Sequence, residues 1–145
     1  MKKILIFTLF VFVLFVGTAS AKRLSVSADR ANVRSGPGTN HETLWSVGKY
    51  YPVDIIKSSG KWHQIRDFEG DRGWIHRSLL KKIPAVIVKG SIVNVRKGPG
   101  TEFKVLFQAE KGVSFRLLER RKTWFKVQHA DGDVGWIHNS LLWGH

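Results

Sequence analysis

Short alternations of apolar and polar residues dominate the chain after its first 21 positions. Residues 24–28 (LSVSA) alternate apolar and small polar side chains, which is the pattern of a strand with one buried face. Further short segments rich in β-branched and aromatic residues follow, each bounded by glycine, serine or aspartate. Strands are predicted over residues 24–28, 31–34, 43–47, 51–57, 61–66 and 72–76, with a short helical turn over 78–80.

The second half of the chain repeats this strand pattern. Strands are predicted over residues 86–88, 113–119, 124–127 and 134–138, and a closing turn over 139–142. Successive side chains of a strand point to opposite faces, so Trp62 and Trp124 face away from Ile65 and Val127, respectively. We expect Ile65 and Val127 to face inward. Many short strands without an amphipathic helix predict an all-β fold, built as a small barrel or sandwich twice.

An internal repeat underlies this pattern. The segment NVRSGPGT at residues 32–39 returns as NVRKGPGT at 94–101, and GWIHRSLL at 73–80 returns as GWIHNSLL at 135–142. The offset is 62 positions each time and needs no gap. We therefore predict one unit over residues 22–83 and another over 84–145, here called copy one and copy two. The connection around Pro84 is too short and apolar for a free linker, so the units are expected to pack together.

The first 21 residues have a different character. Lys2 and Lys3 precede an apolar run over residues 4–16, and Ala19 and Ala21 occupy the small-residue positions of a cleavage site. This is the signature of a secretory signal peptide, with cleavage expected after Ala21. The apolar run is shorter than the ~20 residues of a membrane-spanning helix. An uncleaved leader anchored in the inner membrane is the alternative, and both predict an exported protein of the periplasm or extracellular space.

Charge narrows the class of partner. The chain has 24 Lys and Arg against 11 Asp and Glu, and without the two leader lysines its net charge is +11. Such a charge favours a polyanionic partner: nucleic acid, anionic lipid, lipopolysaccharide or an acidic wall polymer. Export argues against nucleic acid. The chain has no cysteine, which excludes disulfides, thiol nucleophiles and thiolate metal sites.

Three separated motifs, present in order in both copies, resemble those of the bacterial SH3-like (SH3b) family. They are Asn-Val-Arg-x-Gly-Pro-Gly, Trp-x-x-Ile/Val and Gly-Trp-Ile-x-x-x-x-Leu. The signature residues are Asn32, Arg34, Gly36, Pro37, Gly38, Gly73 and Trp74 in copy one, and Asn94, Arg96, Gly98, Pro99, Gly100, Gly135 and Trp136 in copy two. The tandem layout also resembles small exported SH3-like proteins of Gram-negative bacteria. The resemblance implies two tandem, closely linked SH3-like barrels and a wall-binding or protein-binding role.

The Gly36-Pro37-Gly38 motif predicts a shaped loop. Proline presets φ for the first central position of a type II turn, and Gly38 is expected to accept the positive φ of the second. Arg34 is expected to lay its stem on apolar surface and offer its guanidinium to a carboxylate or carbonyl. Since each residue of the motif has a backbone reason to be there, we interpret the motif as a loop that does not meet a ligand.

The candidate binding residues lie outside that motif. Trp62 and Trp124 either line a groove, where an indole can stack on a sugar or an apolar side chain, or cover the edge of the barrel. Trp74 and Trp136 are expected to pack in the core. Basic candidates cluster in copy two and form either a solvated face or an anion-binding patch: Arg116, Arg120, Arg121, Lys122 and Lys126.

These observations favour a binding protein over an enzyme. No nucleophile motif, carboxylate pair or metal-ligand spacing occurs, and the recurring His76 and His138 are interpreted as structural or surface residues. We therefore predict no catalytic residue, no metal and no cofactor. The leading hypothesis is an envelope module that binds peptidoglycan through its peptide stems. The alternatives are a periplasmic protein–protein adaptor and charge-driven association with anionic lipid or lipopolysaccharide.

Overall fold

The computed structural model describes residues 22–145. The predicted signal peptide and its cleavage position after Ala21 lie outside the described residues. Copy one contains seven strands and a 3₁₀ turn, Arg77–Leu79, just before the last strand. Its strands are β1 Lys22–Val26, β2 Arg30–Arg34, β3 Thr43–Gly48, β4 Pro52–Ser59, β5 Trp62–Arg66, β6 Arg72–His76 and β7 Leu80–Lys81.

Copy two repeats this order of elements. Its 3₁₀ turn is Asn139–Leu141. Its strands are β8 Ala85–Val88, β9 Val93–Arg96, β10 Val105–Ala109, β11 Ser114–Arg121, β12 Trp124–Gln128, β13 Val134–His138 and β14 Leu142–Trp143. The antiparallel orders are β3-β2-β6-β5-β4-β1-β7 and β10-β9-β13-β12-β11-β8-β14. The all-β prediction is confirmed, and the strands predicted from the sequence pattern lack β7, β9, β10 and β14.

Each barrel encloses its own apolar core. The alternating inward positions of the strands fill it, and Ile65 and Val127 are fully buried as predicted. Trp74 and Trp136 are also buried, but the inward member of each pair is the following isoleucine, Ile75 or Ile137. The tryptophans therefore lie on the outer face of the sheet, where long cationic side chains cover them. The nitrogen of Lys57 is 5.8 Å from the Trp74 ring centroid.

The Gly-Pro-Gly loop differs from the predicted turn. Neither Gly36 nor Gly38 has a positive φ, so the type II assignment is wrong. Gly36 is required by space instead, because a Cβ there would overlap the ring of His41, which packs against the loop. Arg34 closes the loop as expected, since its Nη1 donates to the carbonyls of Thr39 at 3.3 Å and His41 at 3.0 Å.

Strand β8 is paired within the copy-two sheet, but its side chains contribute to both cores. All four of its residues are buried. Because side chains alternate along a strand, Val86 and Val88 enter the core of copy two, whereas Ile87 is fully buried in the core of copy one. Trp143 of β14 packs against the same copy-one core. Two residues from copy two thereby complete the core of copy one.

Polar contacts reinforce this junction. The Arg23 guanidinium lies 4.3 Å from the Trp143 ring centroid, and Arg23 Nε donates to Asp54 Oδ1 at 2.8 Å. Arg23 Nη1 also donates to the carbonyl of His145 in copy two at 3.2 Å. The two units pack directly against each other, in agreement with the short connection between them.

The Asp67 carboxylate holds the turn between β5 and β6. Its Oδ1 accepts from the backbone N–H groups of Glu69 and Asp71, and its Oδ2 accepts from the Tyr51 hydroxyl at 2.9 Å. Burial raises the pKa of Tyr51 well above its usual range, and the bond to Asp67 and the nearby carboxylates act in the same direction. Copy two has Val113 and His129 at the equivalent positions, so this bond belongs to copy one.

Ile87→Ala tests the shared strand. We expect a loss of about 2–5 kcal/mol in the free energy of unfolding, because the truncation opens a cavity in the copy-one core. In chemical denaturation, both barrels of the variant should unfold in a single transition, at a lower denaturant concentration than in the parent. The exposed Ile56→Ala is the matched control and should change stability by no more than about 0.5 kcal/mol. A loss for Ile87→Ala as small as that of the control would contradict the arrangement.

Tyr51→Phe tests the buried hydroxyl. The pKa of Tyr51 is raised in the folded protein, so its stabilising effect is complete below the unfolded value of about 10 and declines above it. We expect Tyr51→Phe to cost about 1 kcal/mol at pH 7. Above pH ~10, the unfolding free energy of the parent should fall more steeply than that of the variant. Tyr50→Phe is the control, and equal slopes for all three proteins would refute the prediction.

Candidate functional site

Each barrel carries a groove on its outer face, and the two grooves are equivalent. The copy-one groove has a volume of about 520 Å³ and the copy-two groove about 400 Å³. Every residue that lines the first has its counterpart 62 positions later in the second. The copy-one groove is lined by Arg30, Ala31, Asn32, Arg34, Thr39, Trp62, His76, Ser78 and Leu79. The copy-two groove is lined by Ile92, Val93, Asn94, Arg96, Thr101, Trp124, His138, Ser140 and Leu141, together with Lys89, Gly90 and Ser91.

A cross-strand pair of aromatic rings forms one wall of each groove. Trp62 and His76 are direct partners on β5 and β6, so their side chains share a face of the sheet. Their rings meet edge to face with centroids 5.2 Å apart, and the Trp124–His138 pair repeats this at 5.3 Å. Trp62 and Trp124 are half-buried. Of the two interpretations open from the sequence, the one that places these tryptophans in a groove agrees with the structure.

The histidine of each pair also caps a turn. Its Nδ1 accepts from the backbone N–H two residues later, at 3.2 Å for Ser78 on His76 and for Ser140 on His138. The serine hydroxyl lies 2.7 Å from the same nitrogen. An Nδ1 that accepts a backbone N–H carries no hydrogen of its own, so the neutral ring has its hydrogen on Nε2. The structural role expected for these histidines is thus combined with a place in the groove.

The asparagine and arginine of the repeated motif lie in the same grooves. Ser46 Oγ donates to Asn32 Oδ1 at 2.8 Å, and Gln108 Nε2 donates to Asn94 Oδ1 at 3.0 Å. This occupies the acceptor of each amide and leaves its Nδ2 hydrogens directed to donate. Arg96 repeats the loop contacts of Arg34 by donating to two carbonyls, each at 3.0 Å. Both residues of the motif, which the sequence analysis interprets as part of a loop that does not meet a ligand, therefore also line a groove.

Donors outnumber acceptors in both grooves. Asn Nδ2, His Nε2, Trp Nε1 and part of the Arg guanidinium are donors, whereas the principal side-chain acceptors already receive bonds from the protein. Among the residues that line either groove there is no Asp or Glu. The arrangement suits a ligand that offers carbonyl or carboxylate oxygens together with flat or apolar surface.

The basic candidates of copy two lie elsewhere. They occupy the β11–β12 hairpin, and none of the five lines either of the two equivalent grooves. Arg121 extends over the buried Trp136, 5.1 Å from its ring centroid, and donates to Glu119 at 2.7 Å. Arg120 lies 5.7 Å from the Phe125 ring. Arg116, Arg120, Arg121 and Lys122 are exposed and Lys126 is half-buried.

The polar groove residues other than tryptophan were not selected from the sequence as binding candidates. Each of them already had another explanation in the sequence. Asparagine and arginine were explained by the shape of the signature loop, and histidine was interpreted as a structural or surface residue. A usable signal was nevertheless present. Asn32, Arg34, Thr39, His76 and Ser78 are all identical at the 62-residue offset.

Residues 22–145 contain no group of three or more His, Asp or Glu side chains that could hold a metal ion. Over the same residues, no helix has the length and apolar character needed to cross a membrane.

Comparison with known families matches both copies. The family described as "Bacterial SH3 domain" matches residues 27–82 and again residues 89–144. The two matches follow the repeat and include all the lining residues of each groove. The chain belongs to the bacterial SH3 domain family.

Several curated relatives are named as amidases or endopeptidases. YrvJ of Bacillus subtilis, named as an N-acetylmuramoyl-L-alanine amidase, is 28% identical over 150 residues, which are 95% of this chain and 29% of that protein. LytH of Staphylococcus epidermidis, named as a cell wall amidase, is 39% identical over 44 residues, 30% of this chain and 15% of its own. The endopeptidase p60 of Listeria innocua is 37% identical over 67 residues, 45% and 14% of the two chains. This chain spans less than a third of each relative.

Two solved structures show partial similarity. NlpC1 from Trichomonas vaginalis is matched over 87% of this chain and 46% of its own, with a TM-score of 0.39 and 11% identity. An NlpC/P60 family protein from Bacillus cereus is matched over 84% of this chain and 56% of its own, with a TM-score of 0.37 and 15% identity.

Proposed function

We propose that this chain is a non-catalytic binding module of the bacterial cell envelope, exported by a signal peptide cleaved after Ala21, and that its grooves bind peptidoglycan through the peptide stems. The observation that carries the proposal is the pair of equivalent, donor-rich grooves, each with an indole in its wall. Stem peptides offer carbonyl and carboxylate oxygens to the donors and apolar side chains to the indole. Membership of the family and the cell wall enzymes among the relatives support the choice of ligand.

The groove chemistry favours binding over hydrolysis. Ser78 and His76 are close enough to suggest a nucleophile and base, but the histidine nitrogen near the hydroxyl is the one that caps the turn. A serine nucleophile needs its base oriented by a third group. Within residues 22–145 no carboxylate contacts the His76 ring by a hydrogen bond or ion pair. The pair is better explained as a cap.

Two grooves on one packed unit suit a repeating polymer. Binding at one groove makes binding at the other intramolecular, which raises affinity without any new contact. The shared strand β8 limits rotation between the barrels and therefore fixes the spacing of the grooves. The net positive charge adds attraction to acidic groups of the wall, an effect that salt weakens.

Retention of the purified protein on insoluble peptidoglycan tests the proposal. Trp62→Ala and Trp124→Ala should each weaken retention by ~10-fold or more, through loss of a stacking contact and of avidity, and the double variant should lose it almost completely. Exposed Leu118→Ala is the matched control and should bind like the parent. Circular dichroism establishes that each variant is folded. Undiminished retention of a folded double variant would reject the grooves as the site.

A second function is favoured by the exposed basic side chains of the β11–β12 hairpin, which suit an anionic membrane or lipopolysaccharide surface. Co-sedimentation with anionic vesicles at low salt, lost at high salt and unaffected by the tryptophan substitutions, would support this function instead. Absence of retention on peptidoglycan, with crosslinking in cells to an envelope protein, would support an adaptor role.

A further inference from the structure

The two grooves differ in chemistry at one of their shared lining positions. Residue 30 is arginine in copy one, and its counterpart is Ile92 in copy two. The rim of the groove at this position is therefore positively charged in copy one and apolar in copy two. The inference below rests on the proposed function and adds a selectivity to each groove.

Arg30 is exposed and is held by a chain of hydrogen bonds at the rim of the copy-one groove. Its Nη2 donates to Ser46 Oγ at 3.2 Å, and Ser46 Oγ donates to Asn32 Oδ1 at 2.8 Å. No Asp or Glu of residues 22–145 forms an ion pair with Arg30. The remaining guanidinium donors can bind both oxygens of a carboxylate in a charged pair. A carboxamide is uncharged and has only one oxygen, so it cannot form this pair.

The same rim of the copy-two groove is apolar. Ile92 is 57% exposed and Leu141 is 40% exposed, and both line the groove with Trp124. Gln108 replaces Ser46 and bonds Asn94 directly, so no polar chain leads to position 92. Lys89 also lines this groove, and its backbone N–H donates to the carbonyl of Leu141 at 3.2 Å. The copy-two groove thus has a lysine at position 89 and an apolar side chain at position 92.

We propose that the residue at position 30 or 92 sets the ligand preference of each groove. The copy-one groove selects a stem peptide with a free carboxylate, which binds Arg30. The copy-two groove binds an uncharged or apolar part of the ligand against Ile92 and Trp124, and does not distinguish carboxylate from carboxamide. One protein can then bind two chemically different points of the same polymer.

The indole N–H resonances of Trp62 and Trp124 allow each groove to be followed separately. They are assigned with Trp62→Phe and Trp124→Phe in nitrogen-15 correlation spectra of the full protein. The probes are a synthetic stem peptide with free carboxylates and the same peptide with its carboxylates amidated. The variants are the parent, Arg30→Ile, Ile92→Arg and the double exchange, with Lys89→Ala as the control for the second cation.

In the parent, the Trp62 resonance should titrate at about fivefold lower concentration with the free acid than with the amide, the range of an exposed ion pair. The Trp124 resonance should differ less than twofold between the peptides. The double exchange should transfer the preference from Trp62 to Trp124, and added salt should reduce it. Lys89→Ala should leave both ratios unchanged.

Equal preferences at the two resonances, or a preference that stays with Trp62 after the exchange, would overturn the inference and leave peptidoglycan binding intact. A preference at Trp124 that disappears in Lys89→Ala would also overturn it, because Lys89 and not position 92 would set selectivity. If neither resonance responds to either peptide while the protein is retained on the wall, the inference fails and the proposed function stands. No response together with no retention rejects both.

Discussion

The structure depends on a strand that two cores share. Val86 and Val88 of β8 fill one barrel, and Ile87 between them fills the other. Units of about 60 residues bury little apolar surface on their own and are only marginally stable. A side chain that copy two contributes to the core of copy one therefore adds to stability where it is most needed. Trp143 returns from the end of copy two to cover the same core, and Arg23 stacks on it. The two barrels are therefore expected to fold and to orient as one body.

Each groove arises from side chains that first serve the backbone. Arg34 closes the signature loop through two carbonyls, His76 caps the turn after β6, and Asn32 bonds across to β3. These bonds use one edge of each group and leave the other edge in the groove. The fold signature and the lining of each groove are thus built from the same residues. Among the lining residues of the grooves, the copies differ in chemistry next to this shared set, where copy one has Arg30 and copy two has Ile92.

Local patterns were sufficient to predict much of the fold. Most strands and the inward positions of Ile65 and Val127 follow from periodicity within a few residues, and the repeat follows from nearly identical segments 62 positions apart. The type II turn was mispredicted because Gly36 makes room for the His41 ring. Turn preferences consider only neighbouring residues and therefore cannot predict this contact. The role of Ile87 depends on which face of β8 packs against copy one. That packing involves residues far apart in the sequence, so local patterns do not predict it. For the grooves, Trp62 and Trp124 were selected from the sequence as candidates, whereas the polar residues beside them were not, because each of those already had a backbone explanation.

The relative orientation of the two barrels in solution tests the central claim most directly. Residual dipolar couplings can be measured for backbone N–H groups of both copies in one weakly aligned sample. A shared β8 predicts that one alignment tensor fits both barrels, with equal magnitude and direction. Two tensors of different magnitude would show that the barrels reorient independently, and would contradict both the shared core and the fixed spacing of the grooves.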